Sequence, residues 1–222
     1  MRVCIVIPAF EEAATIGNVL RAIPPGLAVA AIVVDGGSCD ATRDVAAAAG
    51  ARVVLEPRSG YGRACLAGMR EAAALGADVV AFLGGGGAED PADLPKVIGP
   101  VVRGEADLAL GSRVQRAEPG ALRPLQRFGN ALATWLIALR FGRRFHDLGS
   151  MRALRLGALE APLELAHGFP AEMQVQALKH GLRIVEVPIA FRRRRGGRSK
   201  VSGTVRGTLR AGAAILRVVL TS

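Results

Sequence analysis

The 222-residue sequence predicts an α/β fold, a doubly wound and mostly parallel sheet with helices on both faces. Three observations carry that prediction. Apolar runs of about five residues alternate with stretches of helical spacing, the pattern of a parallel sheet covered on both sides. Polar or glycine-rich turns follow the runs, where open α/β sheets hold their ligands. Hydrophobic residues make up 50% and charged residues 22%, a globular balance, while aromatics are only 4%, so the core must be built from Ala, Val, Leu and Ile.

Taken in order, residues 2–7 read as a strand and 12–22 as a helix. A second strand at 30–35 precedes a helix at 41–49, and a short strand at 52–55 precedes a helix at 62–75. Residues 78–83 form a strongly apolar strand, 94–102 a helix and 106–110 another strand. The second half differs. Residues 123–144 form a long helical stretch with Leu132, Trp135, Leu136 and Leu139 as its apolar positions and Arg123, Arg127, Arg140, Arg143 and Arg144 around them. A helix at 171–180, a strand at 184–187, an arginine run at 192–195 and a helix at 205–220 complete the chain. No linker divides it. One domain is expected, with residues 1–113 as a nucleotide-binding half and 114–222 as an acceptor- and membrane-facing half.

The formal charge of +10 favours polyanionic partners: nucleic acid, anionic lipid or phosphorylated substrates. Scarce aromatics and the lack of a nucleic-acid-binding signature argue against specific nucleic-acid recognition. The cysteines Cys4, Cys39 and Cys65 form no CxxC pair, which suggests neither a disulfide framework nor a zinc site. With no signal-peptide pattern and no apolar run long enough to span a bilayer, the expected location is the cytoplasm, peripheral to the inner membrane face.

The turn Asp35-Gly36-Gly37-Ser38-Cys39-Asp40 admits two readings. Ser38 or Asp40 can cap the following helix, and Asp35 can accept from a base N–H or a ribose hydroxyl. Together with Ile7-Pro8-Ala9-Phe10-Glu11-Glu12 and Gly60-Tyr61-Gly62-Arg63-Ala64, it resembles the family-2 glycosyltransferases. So do Gly111-Ser112-Arg113, Asp147-Leu148-Gly149-Ser150-Met151-Arg152, Glu172-Met173-Gln174, Glu186-Val187-Pro188 and Arg195-Gly196-Gly197-Arg198-Ser199-Lys200. Each motif is weak alone; eight in the right order are specific, and the nearest branch is the polyprenyl-phosphate (dolichyl-phosphate) mannosyl- or glucosyltransferases. The resemblance implies a GT-A-like fold and transfer, with inversion, of a sugar from a UDP- or GDP-linked donor to a polyprenyl-phosphate acceptor. It places Pro8, Phe10, Glu12, Asp35, Gly60 and Gly62 around the nucleotide. Arg113 and Arg127 would face the acceptor phosphate, and Arg113, Arg195 and Lys200 would act as the catalytic cations. Guanidinium groups suit this work because they bind phosphate oxygens in pairs and stabilise charge on a diphosphate leaving group.

The resemblance also implies Mg²⁺ or Mn²⁺ held by an Asp-x-Asp pair after the fourth strand. Here Gly84 and Gly86 occupy the pair's positions and Ala88 that of a third ligand, so binding in the usual way is not expected. The glycines do not make a P-loop either, for the lysine and hydroxyl residue are missing. Several readings remain open: a transferase that neutralises the diphosphate with arginines, a non-catalytic nucleotide- or lipid-phosphate-binding protein, ligands supplied by Glu89 and Asp90 from a shifted loop, or a substitution peculiar to this copy. The long arginine-flanked helix reads either as a core-facing helix or as one lying on anionic lipid.

Overall fold

The computed structural model describes residues 1–58, 60–159, 168–193, 213 and 217. The predicted catalytic residues Arg195 and Lys200, and the predicted terminal helix at 205–220 apart from two isolated positions, lie outside the described residues. The elements run β1 (Val3–Ala9), α1 (Ala13–Arg21), β2 (Ala30–Asp35), α2 (Thr42–Ala48), β3 (Arg52–Leu55), α3 (Tyr61–Ala74), β4 (Val79–Phe82), α4 (Leu94–Val102), β5 (Leu108–Ser112), α5 (Pro124–Phe141), β6 (Arg152–Arg155), α6 (Phe169–Lys179) and β7 (Ile184–Pro188).

The strands form one sheet in the order β3-β2-β1-β4-β6-β5-β7. It is mostly parallel, as predicted; β6 alone runs antiparallel, to β4 and to β5. Strand β6 was not expected from the sequence. Its four residues, Arg-Ala-Leu-Arg, carry no apolar run, and its hydrophobicity comes from neighbours: Arg152 lies between Phe82 and Leu110 in the sheet. Strands β6 and β7 bring the second half of the chain into the same sheet as the first.

Alternation along β1 divides the core. Cys4 and Val6 face a layer with Cys65 and Ala72 of α3, Ile137 of α5 and Met173 of α6. Val3, Ile5 and Ile7 face Ile16 and Val19 of α1, Ala46 of α2 and Val97 of α4. Helix α4 buries Leu94, Val97, Ile98 and Val101, the i, i+3, i+4, i+7 stripe of a surface helix. Helix α3 lies so close to β1 that a Cβ at Gly68 would meet Val6 Cγ1 at 2.3 Å, which only a glycine avoids.

Strand order reverses between β1, whose chain continues to β2, and β4 on its other side, which marks the switch-point crevice. Strand β1 runs two residues past its predicted end, so Pro8 lies within the strand and not in the following turn. Its missing N–H breaks no ladder there on the β4 side, because the pairing of β1 with β4 runs from Val3 only as far as Val6. Helix α5 is shorter than predicted: Pro124 fits the first helical position, and Gly142, at φ 70°, ends it.

Candidate functional site

The first two strands deliver a stitched pair of turns. Asp35 is fully buried at the end of β2. Its Oδ2 accepts from the backbone N–H groups of Gly37 (3.1 Å) and Ser38 (3.0 Å), its Oδ1 accepts from Ser38 Oγ, and Arg43 Nε stands 3.8 Å away. Ser38 Oγ accepts from Glu11 N at 2.8 Å, and Thr42 Oγ1 accepts from Glu12 N at 2.8 Å. Asp35 thus braces the turn, while the N-cap of α2 falls on Ala41, with no side-chain cap bond, and not on the expected Ser38 or Asp40. Phe10 is 40% exposed, and its ring borders Gly36, whose added Cβ would lie 3.5 Å from it. Glu12 is buried near Thr15, whose hydroxyl donates to the Gly85 carbonyl at 2.9 Å and ties α1 to the loop after β4. Gly60, at φ 135°, opens α3, and Gly62 is buried in its first turn.

The ends of β5 and β7 hold the main cation. Arg113 donates from Nε to Asp147 Oδ2 and from Nη2 to Oδ1, both at 2.7 Å, and its backbone N–H donates to Oδ2 at 2.8 Å. Its guanidinium also stacks 5.2 Å from the Phe191 ring centroid. Burial pulls the Arg113 pKa down, but the bonds to Asp147 outweigh it and hold the pKa above its ordinary value. The group is a permanent, fixed cation, and Nη1 has no protein partner among the described residues.

Two sequence motifs and one residue of α5 converge on the segment carrying Asp147. Gln174 Nε2 donates to the Asp147 carbonyl at 3.1 Å. Glu186 accepts from His146 N at 2.9 Å and lies 2.8 Å from His146 Nδ1. Asn130 of α5, which the sequence did not single out, accepts from Leu148 N at 2.9 Å and donates to the His146 carbonyl at 3.0 Å. These residues support the support: they fix Asp147, which fixes Arg113. Arg127 is exposed on α5 and shares no hydrogen-bond partner with Arg113 among the described residues. The motif residue Arg152 is fully buried and donates to the carbonyls of Pro170 (3.0 Å) and Gly149; burial lowers its pKa, and it faces the core, not the crevice.

The loop after β4 stands beside the end of β1, since a Cβ at Gly85 would lie 3.3 Å from the Pro8 carbonyl oxygen. The start of the basic run crosses this loop: Arg192 N donates to the Ala88 carbonyl at 2.7 Å, and Phe191 bridges Glu89. The residues present do not fit a divalent cation. Gly84, Gly86 and Ala88 have no side-chain oxygen. Asp90 caps the following turn through Ala92 N (3.1 Å) and pairs with Arg192 Nη2 (2.6 Å). Glu89 is buried and accepts from Gly84 N (3.0 Å), Ser150 Oγ (2.7 Å) and Met151 N (2.9 Å). Among the described residues no group of three His, Cys, Asp or Glu side chains could hold a metal ion.

Comparison with known proteins identifies the family and the fold. Residues 4–161 match the family described as Glycosyl transferase family 2. An uncharacterized glycosyltransferase of Mycobacterium tuberculosis (strain ATCC 25618 / H37Rv) is 39% identical over 210 residues, covering 93% of this chain and 93% of the relative. The undecaprenyl-phosphate mannosyltransferase of Micrococcus luteus is 30% identical over 233 residues, covering 93% and 90%. Among solved structures, glucosyl-3-phosphoglycerate synthase from Mycobacterium tuberculosis, in complex with Mn²⁺, UDP-glucose and phosphoglyceric acid, aligns with a TM-score of 0.77 at 25% identity, over 99% of this chain and 79% of that one. The mixed sheet is thus of the GT-A type. A family match that runs from β1 through β6 and a relative 39% identical over 93% of the chain carry one assignment: the chain belongs to glycosyl transferase family 2.

Proposed function

We propose that the protein transfers a sugar, with inversion, from a UDP- or GDP-linked donor to a polyprenyl-phosphate acceptor, and that it does so without a metal ion on the diphosphate. The observation that carries this reading is the Arg113–Asp147 fork, a guanidinium held rigidly at the end of β5 with Nη1 free of protein partners among the described residues. A phosphate oxygen of the acceptor attacks the anomeric carbon, the bond from that carbon to the diphosphate oxygen breaks, and the nucleoside diphosphate leaves. A lipid phosphate is ionised near neutral pH and needs no general base, so the protein's work is alignment and charge stabilisation. Arg113 would hold the acceptor phosphate, with Arg127 nearer the membrane side. Arg195 and Lys200, together with Arg192 over the β4 loop, would neutralise the leaving diphosphate. Pro8, Phe10, Glu12, Asp35, Gly60 and Gly62 would form the nucleotide's surroundings, Asp35 acting by shaping the turn. The acceptor of the Micrococcus luteus relative supports the lipid phosphate.

Helix α5 supports a membrane partner. Leu125, Phe128, Leu132, Trp135 and Leu139 are all exposed, spaced as one helical stripe, and the helix carries no carboxylate. No helix among the described residues is long and apolar enough to cross a membrane; the contact proposed for this stripe is a peripheral one on an anionic inner face.

The missing metal ligands favour a second reading, a non-catalytic protein that binds nucleotide and lipid phosphate. One assay separates the two. The protein is incubated with UDP- and GDP-sugars and polyprenyl phosphate in anionic vesicles containing EDTA, and glycosylated lipid and free nucleoside diphosphate are measured. Transfer that Arg113→Ala reduces by ~10²–10³-fold, the scale of a lost charge-stabilising donor, supports the enzyme. Nucleotide binding with no product for any donor supports the second reading.

A further inference from the structure

The glycine at position 84 and the buried carboxylate of Glu89 belong together. The loop after β4 folds back so that Glu89, only 4% exposed, aims its carboxylate at the backbone it has just left. Oε2 accepts from Gly84 N at 3.0 Å, while Oε1 accepts from Ser150 Oγ at 2.7 Å and Met151 N at 2.9 Å. Glu89 thus ties the donor-side loop to the segment that precedes β6 and carries Asp147. A Cβ added at Gly84 would lie 3.3 Å from Glu89 Oε2 and 3.9 Å from Ser150 Oγ, so any longer acidic side chain there is built against an existing anion. Glu89 cannot turn away to share a cation without orphaning three donors in a buried place, and donors aimed at its oxygens disfavour a cation on the same atoms.

We propose that Glu89 is a positioning residue that makes the site metal-independent: its carboxylate anchors the β4 loop from within, and it excludes a carboxylate from position 84. This rests on the reading of the crevice as a nucleotide-diphosphate site, but its structural half can be tested without any nucleotide. Glutamine at position 89 would keep the Oε1 bonds to Ser150 and Met151 but place an NH₂ group against Gly84 N–H. Opposite an acidic side chain at position 84, that same NH₂ becomes a donor to it. The two substitutions should therefore be coupled with opposite signs.

Melting temperatures of the wild type, Gly84→Asp, Glu89→Gln and the Gly84→Asp/Glu89→Gln pair give the first arm. Glu89→Gln should lower the melting temperature of the wild type and raise that of Gly84→Asp; additive effects would overturn the proposal. Nucleotide binding gives the second arm, read by calorimetry with UDP and GDP in Mn²⁺ and in EDTA. Gly84→Asp/Gly86→Asp should show less than a twofold gain from Mn²⁺, and adding Glu89→Gln should raise that gain to tenfold or more. Equal gains with and without Glu89→Gln would overturn the exclusion. Opposite-signed coupling in the melts with no Mn²⁺ gain in the folded triple variant would uphold the Glu89 anchor and defeat the assignment of this loop to the diphosphate.

Discussion

At the scale of single residues, charge is useful here only where something holds it still. Arg113 is one of 29 Lys and Arg residues; Arg58, Arg103 and Arg183 also fork onto carboxylates, and what distinguishes Arg113 is that its pair is buried, with the Asp147 side chain only 1% exposed. Asp147→Asn keeps the shape and removes the charge. It should lower the transfer rate by ~10-fold or more while leaving nucleotide affinity within about twofold, because only the acceptor side loses its alignment. Steady-state rates against lipid phosphate concentration check this. A second residue effect is a pH effect. The fork from Arg58 to Glu56, with Nε and Nη2 donating at 2.7 Å, lowers the Glu56 pKa from an ordinary 4.5 to about 2. A depressed carboxylate contributes stability that is present above 4.5 and is lost as pH falls through about 2. Glu56→Gln should therefore flatten the fall of unfolding free energy between these two values, as read by urea melts across that range. A slope unchanged from wild type would show that the exposed Arg58 adds nothing measurable to the buried Glu56.

At the scale of elements, the sequence was readable where structure is local and opaque where it is not. Strands β2 and β3 have the bounds their short apolar runs predicted, and Asp90-Pro91 starts a turn of helix through an ordinary capping bond. The grip of Asp147 on Arg113 spans 34 residues, that of Gln174 on Asp147 spans 27 and that of Glu186 on His146 spans 40, and no periodicity reports such pairings. The motifs were visible; that they brace one another was not. Strand β6 was missed for a related reason, since arginine at both ends hides a strand whose burial is set by β4 and β5. Helix α5 shows the reverse case. Of its two sequence readings, the core-facing one describes Ala133, Thr134 and Ile137, which are buried; Phe128 and Trp135, 66% and 58% exposed, form the face on which the proposed lipid contact would rest. Phe128→Ser with Trp135→Ser should reduce cosedimentation with anionic vesicles by ~10-fold or more without lowering the melting temperature, since the lost groups contact solvent in the free protein. Undiminished vesicle binding would assign the membrane contact to another surface.

At the scale of the whole molecule, the proposed function divides one sheet between two tasks. Its β3-β2-β1-β4 side, with its turns and glycines, would take the nucleotide, and its β5-β7 side, where Asp147 braces Arg113, would take the acceptor phosphate. The loop after β4 lies between them, and in this chain Glu89 holds it where family resemblance led to the expectation of a cation. A net charge of +10 gives the molecule a long-range attraction for anionic partners that no single contact explains. The central claim is that the crevice binds a nucleoside diphosphate through protein groups alone, and calorimetric titration with UDP and with GDP, each in Mn²⁺ and in EDTA, tests it most directly. One of the two nucleotides should bind with the same affinity in both conditions. Binding that appears only with Mn²⁺, or no binding of either nucleotide, would contradict it.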